Sequence, residues 1–207
     1  MTPKGPSPVD LESAAPASSR RSLIGALGAV GLAGAAALSI GRPASAAPTS
    51  PTQDDKTLLR QAMELELTAE ALYREAINAG LSDVAGELAV VFAENHVSYA
   101  DKIAGAGGFS ANTRNEDVFE QLQSTFATSD ADAFAEAAAG LENTATATHT
   151  ALLVEYESVK AKTLTASIIV VEARMATVLA DLQGITSLDD IFEPNTEALE
   201  LTGGAAS

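Results

Sequence analysis

The sequence predicts an all-α fold: a bundle of four long helices with one long crossover between the second and the third. Three observations carry this. Four stretches of 20 residues or more place apolar residues at steps of three and four, the spacing of one face of a helix. No stretch shows the strict alternation of a half-buried strand, and the glycines of Ala104–Gly108 follow a helical pattern rather than a strand, so they make no nucleotide-binding loop. The connection from Gly105 to Asp130 is far longer than a helical hairpin needs and long enough to return along the whole bundle.

The first 46 of the 207 residues read as a targeting segment. Arg20 and Arg21 precede a soft apolar run from Leu23 to Ile40, and Ala44-Ser45-Ala46 closes it as an A-x-A cleavage signal. This layout predicts export by the twin-arginine (Tat) route, with the mature protein released to a periplasmic, cell-envelope or extracellular location and no membrane insertion after cleavage. The segment carries Lys4, Arg20, Arg21 and Arg42 against Asp10 and Glu12, which leaves eight basic and 26 acidic residues beyond it, a formal charge of −18. Such a balance disfavours nucleic acid and anionic membranes as partners, because both are held by basic patches. The chain has no cysteine, hence no disulfide and no thiolate metal site.

Residues 47–53 form a Pro/Ser/Thr linker. The bundle is expected over residues 54–184. Asp54 or Asp55 caps a first helix that reaches Ala79 and stops at Gly80. Its seam reads Leu59, Met63, Glu66, Glu70, Tyr73, Ile77. Ser82 caps the second helix, whose apolar row Leu88, Phe92, Tyr99, Ile103 takes in His96. Within the crossover, Glu116 to Phe126 is a short amphipathic helix. The third long helix, about Ala131 to Glu157, carries Phe134, Ala138, Glu142, Ala145, His149, Leu152 and Tyr156 on its inner row. A turn around Ser158 to Lys162 leads to the fourth, Thr163 to Leu182, with Glu172 in the middle of its apolar stripe. Residues 185–207 are expected to form a closing turn and, after Pro194, a disordered tail.

Each long helix thus sets an acid or a histidine on its buried row, and no Lys or Arg falls clearly on those rows. Glu172 is the sharpest case. Its nearest basic neighbour, Arg174, lies about 200° around the helix at ~100° per residue. Buried carboxylates without a counter-charge cost several kcal/mol each, so protons or a metal ion must balance them. Oxygen and imidazole donors suit iron, manganese or zinc.

The order of these residues resembles the ferritin-like superfamily of di-iron carboxylate proteins, whose pattern is Glu, Glu-x-x-His, Glu, Glu-x-x-His on successive helices. The matching segments are LELTAEALY with Glu66, FAENHVSYADKI with His96, GLENTATATH with Glu142 and VVEARMATVL with Glu172. The likeness is closest to exported bacterial ferritin-like proteins with twin-arginine signals. Two positions depart from the pattern: Ala93 stands where the second helix needs Glu, and Met175 where the fourth needs His. The resemblance therefore implies one ion, iron or else manganese or zinc, held by Glu66, His96, Glu142 and Glu172, with little or no oxidase activity. Two other functions fit the same residues: a site-degenerate bundle acting as a non-catalytic binding, assembly or envelope-stress protein, and a di-iron oxidase of the ferroxidase kind. His149 is a candidate substitute ligand but, two turns from Glu142, is expected outside the ligand set. Glu70 is expected at the rim, the three tyrosines in the core with their hydroxyls on polar partners, Met175 as a gap-filler, and a homodimer through exposed bundle faces is compatible with the sequence.

Overall fold

A computed structural model of the chain describes residues 46–192 and 196–201. The expected targeting segment, apart from Ala46, lies outside the described residues. Six helices are present among the described residues: α1 Gln53–Asn78, α2 Asp83–Gly107, α3 Glu116–Phe126, α4 Ala131–Glu155, α5 Val159–Leu182 and α6 Leu188–Phe192. No strand occurs among the described residues.

Helix starts follow the side chains that satisfy their first amides. α1 begins with a reciprocal capping box: the Thr52 hydroxyl accepts from the Asp55 N–H at 3.2 Å, and the Asp55 carboxylate accepts from the Thr52 N–H at 3.0 Å. The expected cap at Asp54 or Asp55 thus moves to Thr52, with Asp55 as its return partner. Asn115, Asp130 and Ser158 cap α3, α4 and α5. Ser82 is the N-cap residue of α2, but its hydroxyl bonds to the Asp83 carboxylate, not to a helix amide. α5 starts at Val159, four residues ahead of the expected Thr163, because Ser158 supplies the cap and the lysines Lys160 and Lys162 point outward.

Two apolar clusters fix the directions of the long helices. One gathers Tyr73, Phe92, Phe126, Phe134, Met175 and Leu179; the other gathers Leu59, Ile103, Leu152, Tyr156, Ala161 and Ile168. The first cluster takes the end of α1, the start of α2, the start of α4 and the end of α5, and the second takes the opposite ends. α1 and α2 are therefore antiparallel, as are α4 and α5, while α2 and α4 run the same way. The chain between α2 and α4 must then traverse the bundle, which is the expected crossover. α3 rides on it, burying Phe119 and Phe126, with the Phe126 ring 5.8 Å from Tyr73 and 6.4 Å from Phe134. The Asn115 N–H donates to the Thr68 hydroxyl at 2.9 Å and pins the crossover to α1 midway.

The expected disordered tail differs in its described part. Residues 196–201 run along the groove between α1 and α4, where the Leu199 N–H donates to the Thr148 hydroxyl at 3.0 Å and Leu201 lies beside Leu58 and Leu152. Leu199 and Leu201 find small neighbours there, Ala69, Thr144 and Ala151 among them, so burial offsets the ordering cost.

Candidate metal centre

Between the two apolar clusters lies a polar layer. Glu66 of α1, His96 of α2, Glu142 and His149 of α4 and Glu172 of α5 are each at most 1 % exposed. All sit on the inward stripes of their helices, so the packing that buries leucine and phenylalanine above and below also buries them.

His96 spans the layer. Its Nδ1 is 2.7 Å from Glu66 Oε2, and its Nε2 is 3.1 Å from Glu142 Oε1. The Tyr73 hydroxyl donates to the same Glu142 oxygen, and its ring stacks on His96 at 5.6 Å. On the other side, His149 Nε2 lies 2.9 Å from Glu66 Oε1 and 3.3 Å from Glu172 Oε1. The second of these is an ion-pair distance without hydrogen-bond alignment, so both Glu172 oxygens lack a hydrogen-bond partner, as do Glu142 Oε2 and His149 Nδ1. Among the described residues no Lys or Arg pairs with any of these carboxylates; Arg74 pairs with Glu70 and Arg114 with Glu116.

Three carboxylates face two imidazoles, and the protonation equilibria follow. Burial pushes Glu66 up, but hydrogen bonds from His149 and His96 and their charges outweigh it and hold Glu66 at about 2. Burial works against a charged His149, yet Glu172 and Glu66 lift it to about 10. Glu142 and Glu66 likewise overcome burial and lift His96 well above the usual imidazole value. Glu172 goes the other way for an acid. Burial raises it, and His149 only partly opposes that because Glu66 and Glu142 add repulsion. Glu172 is the carboxylate left without a full counter-charge.

The donor set fits a metal ion. Glu66, His96 and Glu172 each offer one ligand atom, and these atoms lie within 4.8 Å of one another. Oxygen and imidazole donors are those of borderline divalent ions, and both oxygens of Glu172 are buried without a hydrogen-bond partner, a lack that such an ion would make good. A family model described as the ferritin-like domain matches residues 54–184. The chain belongs to the ferritin-like family. No curated protein and no solved structure is matched.

Within this ferritin-like domain the four expected site residues, Glu66, His96, Glu142 and Glu172, meet in one layer. Glu142 stands apart from the three converging donors, on the far ring nitrogen of His96. Ala93 and Met175 are buried in the apolar cluster beside Tyr73 and Phe92, so apolar atoms occupy the places where the family pattern puts a carboxylate and an imidazole. Met175 fills space there, as expected. Glu70 lies at the rim with Arg74. His149 lies outside the three converging donors, but its Nε2 touches two of the layer's carboxylates. It lies two turns from Glu142 on its own helix, and its partners come from α1 and α5. A signal was present. Glu66 and Tyr73 are seven apart on α1, as Glu142 and His149 are on α4. Run antiparallel, the two helices set Tyr73 against Glu142 and Glu66 against His149.

Proposed function

We propose that this protein is an exported ferritin-like domain that holds one divalent metal ion, iron, manganese or zinc, in the middle of its bundle. Glu66, His96 and Glu172 bind it, and Glu142 supports His96. The observation that carries the reading is the convergence of those three buried donors on a carboxylate, Glu172, whose oxygens have no other partner. The ion supplies the positive charge the layer lacks. Apolar side chains at Ala93 and Met175 favour one ion over two, and hence little or no oxidase turnover. The Arg20-Arg21 pair and the Ala44-Ser45-Ala46 site support export.

Elemental analysis of the purified protein tests this. The expected result is about one ion per chain in the wild type and none in Glu172→Ala. Absence of metal from the wild type after loading with iron, manganese and zinc overturns it and favours a second reading. In that one, the imidazoles of His96 and His149, each lying between two carboxylates, make the layer a metal-free ion-pair lock in a non-catalytic binding protein. Export is tested separately: Arg20→Lys with Arg21→Lys should hold the chain in the cytoplasmic fraction, and normal export of that variant overturns the Tat assignment.

A further inference from the structure

The family pattern assigns no imidazole to the helix that carries His149, and the position where it does assign one in the last helix is Met175. Met175 is buried in the apolar cluster that includes Tyr73, Phe92 and Phe134. His149 is already among them. Its Nε2 touches one oxygen of Glu66 and one of Glu172, the same two carboxylates that converge with His96. The two rings address Glu66 from its two oxygens, His96 at Oε2 and His149 at Oε1.

Resting on the one-ion reading above, we propose that His149 is a direct ligand, so that the ion is held by two imidazoles, His96 and His149, and two carboxylates, Glu66 and Glu172. A proton on His149 Nε2 serves Glu66 with good alignment and Glu172 without it. A divalent ion in the same space accepts lone pairs from all three groups at once and removes that defect. Two carboxylates neutralise a divalent ion, so the dry layer gains no net charge from the ion and those two ligands. His96 then presents Nδ1 to the ion and donates its Nε2 proton to Glu142, which the Tyr73 hydroxyl holds in turn. That is the carboxylate–histidine–metal arrangement that fixes ring orientation and tautomer, and it accounts for the place of Glu142 outside the converging donors. Two imidazoles also select the class of ion, favouring zinc, iron or cobalt over magnesium and calcium.

Cobalt(II) is the probe. X-ray absorption at the cobalt edge counts imidazoles from their outer-atom scattering, and titration reads the affinity. Two imidazoles are expected in the wild type and in Glu142→Gln, and one in His149→Gln. The dissociation constant should rise by roughly 10- to 100-fold in Glu142→Gln, as for an outer partner, and by more than that in His149→Gln. One imidazole in loaded wild type overturns the assignment while leaving the one-ion reading intact. A wild type that takes up neither cobalt nor iron, manganese or zinc overturns both. Circular dichroism checks the fold of His149→Gln, and should that variant not fold, the wild-type count alone decides.

Discussion

Replacing Glu172 with Gln should reverse the order of stability between metal-free and metal-loaded protein. Glu172 is fully buried, its two oxygens have no hydrogen-bond partner, and it makes three carboxylates against two imidazoles. A buried unsatisfied polar group costs about 1–3 kcal/mol, more when charged. Gln has nearly the same volume and carries no charge, so packing is kept while the uncompensated charge is removed. In a chelator, Glu172→Gln should therefore be more stable than the wild type by about 1–2 kcal/mol. For a domain of this size each kcal/mol moves the melting temperature by roughly 2–4 °C. Metal changes the order. At a free concentration 100 times the dissociation constant, an ion stabilises the wild type by about 2.7 kcal/mol, and the variant, with a ligand lost, gains little. Differential scanning fluorimetry with EDTA and with zinc reads both arms. A variant less stable than the wild type in EDTA would show that Glu172 is already satisfied in the metal-free protein, and the reasoning would fail.

The pH dependence of the metal-free protein follows from the same layer. Glu66 is lowered from 4.5 to about 2, so its contribution is present above pH 4.5 and is lost as pH falls through that range. His149 is raised from 6.5 to about 10, so its contribution is present below pH 6.5 and is lost as pH rises toward 10. His96 acts in the same direction, and Glu172, raised above 4.5, adds a penalty as it ionises. Thermal melts in EDTA should peak between about pH 4.5 and 6.5, and a maximum at pH 8 or above would contradict the assignment. Metal binding should release protons, since the ligand nitrogen of His96 must be bare; calorimetry in buffers of different ionisation enthalpy measures the number, and zero is the contrary result. Asp55 accepts backbone N–H bonds from Thr52, Glu157 and Ser158, tying the start of α1 to the α4–α5 turn, so Asp55→Ala should cost about 2–4 kcal/mol in urea melts. Gly86→Ala should destabilise by about 1–3 kcal/mol despite the better helix propensity of alanine, because its Cβ would lie 2.7 Å from the Leu81 carbonyl oxygen; a stabilised variant would refute that.

The helices were legible because each keeps one apolar period over many turns, and the bounds of α3, Glu116 to Phe126, could be read directly. The crossover was legible from its length alone. The early start of α5 was not, since Lys160 and Lys162 break the apolar row while the deciding groups, the Ser158 hydroxyl and the distant Asp55, act through hydrogen bonds. The seat of residues 196–201 was hidden for a related reason: two leucines, Leu199 and Leu201, finding a groove of small side chains leave no periodic trace. In the site, the inward set could be read from single-helix faces, but partners could not. That Tyr73 meets Glu142 and His149 meets Glu66 depends on which helices face each other and in what register.

That register has a keeper. The α1–α2 hairpin brings Glu66, Tyr73 and His96, and the α4–α5 hairpin brings Glu142, His149 and Glu172. Within the layer, three hydrogen-bonding contacts cross from one hairpin to the other: Tyr73 to Glu142, His96 to Glu142 and His149 to Glu66. A slide of one helical turn, about 5.4 Å, would unseat the edge-to-face contacts of Tyr73, Phe126 and Phe134. The same slide would break all three crossing contacts at once, so the charged layer adds an alignment key to the apolar packing of the two halves.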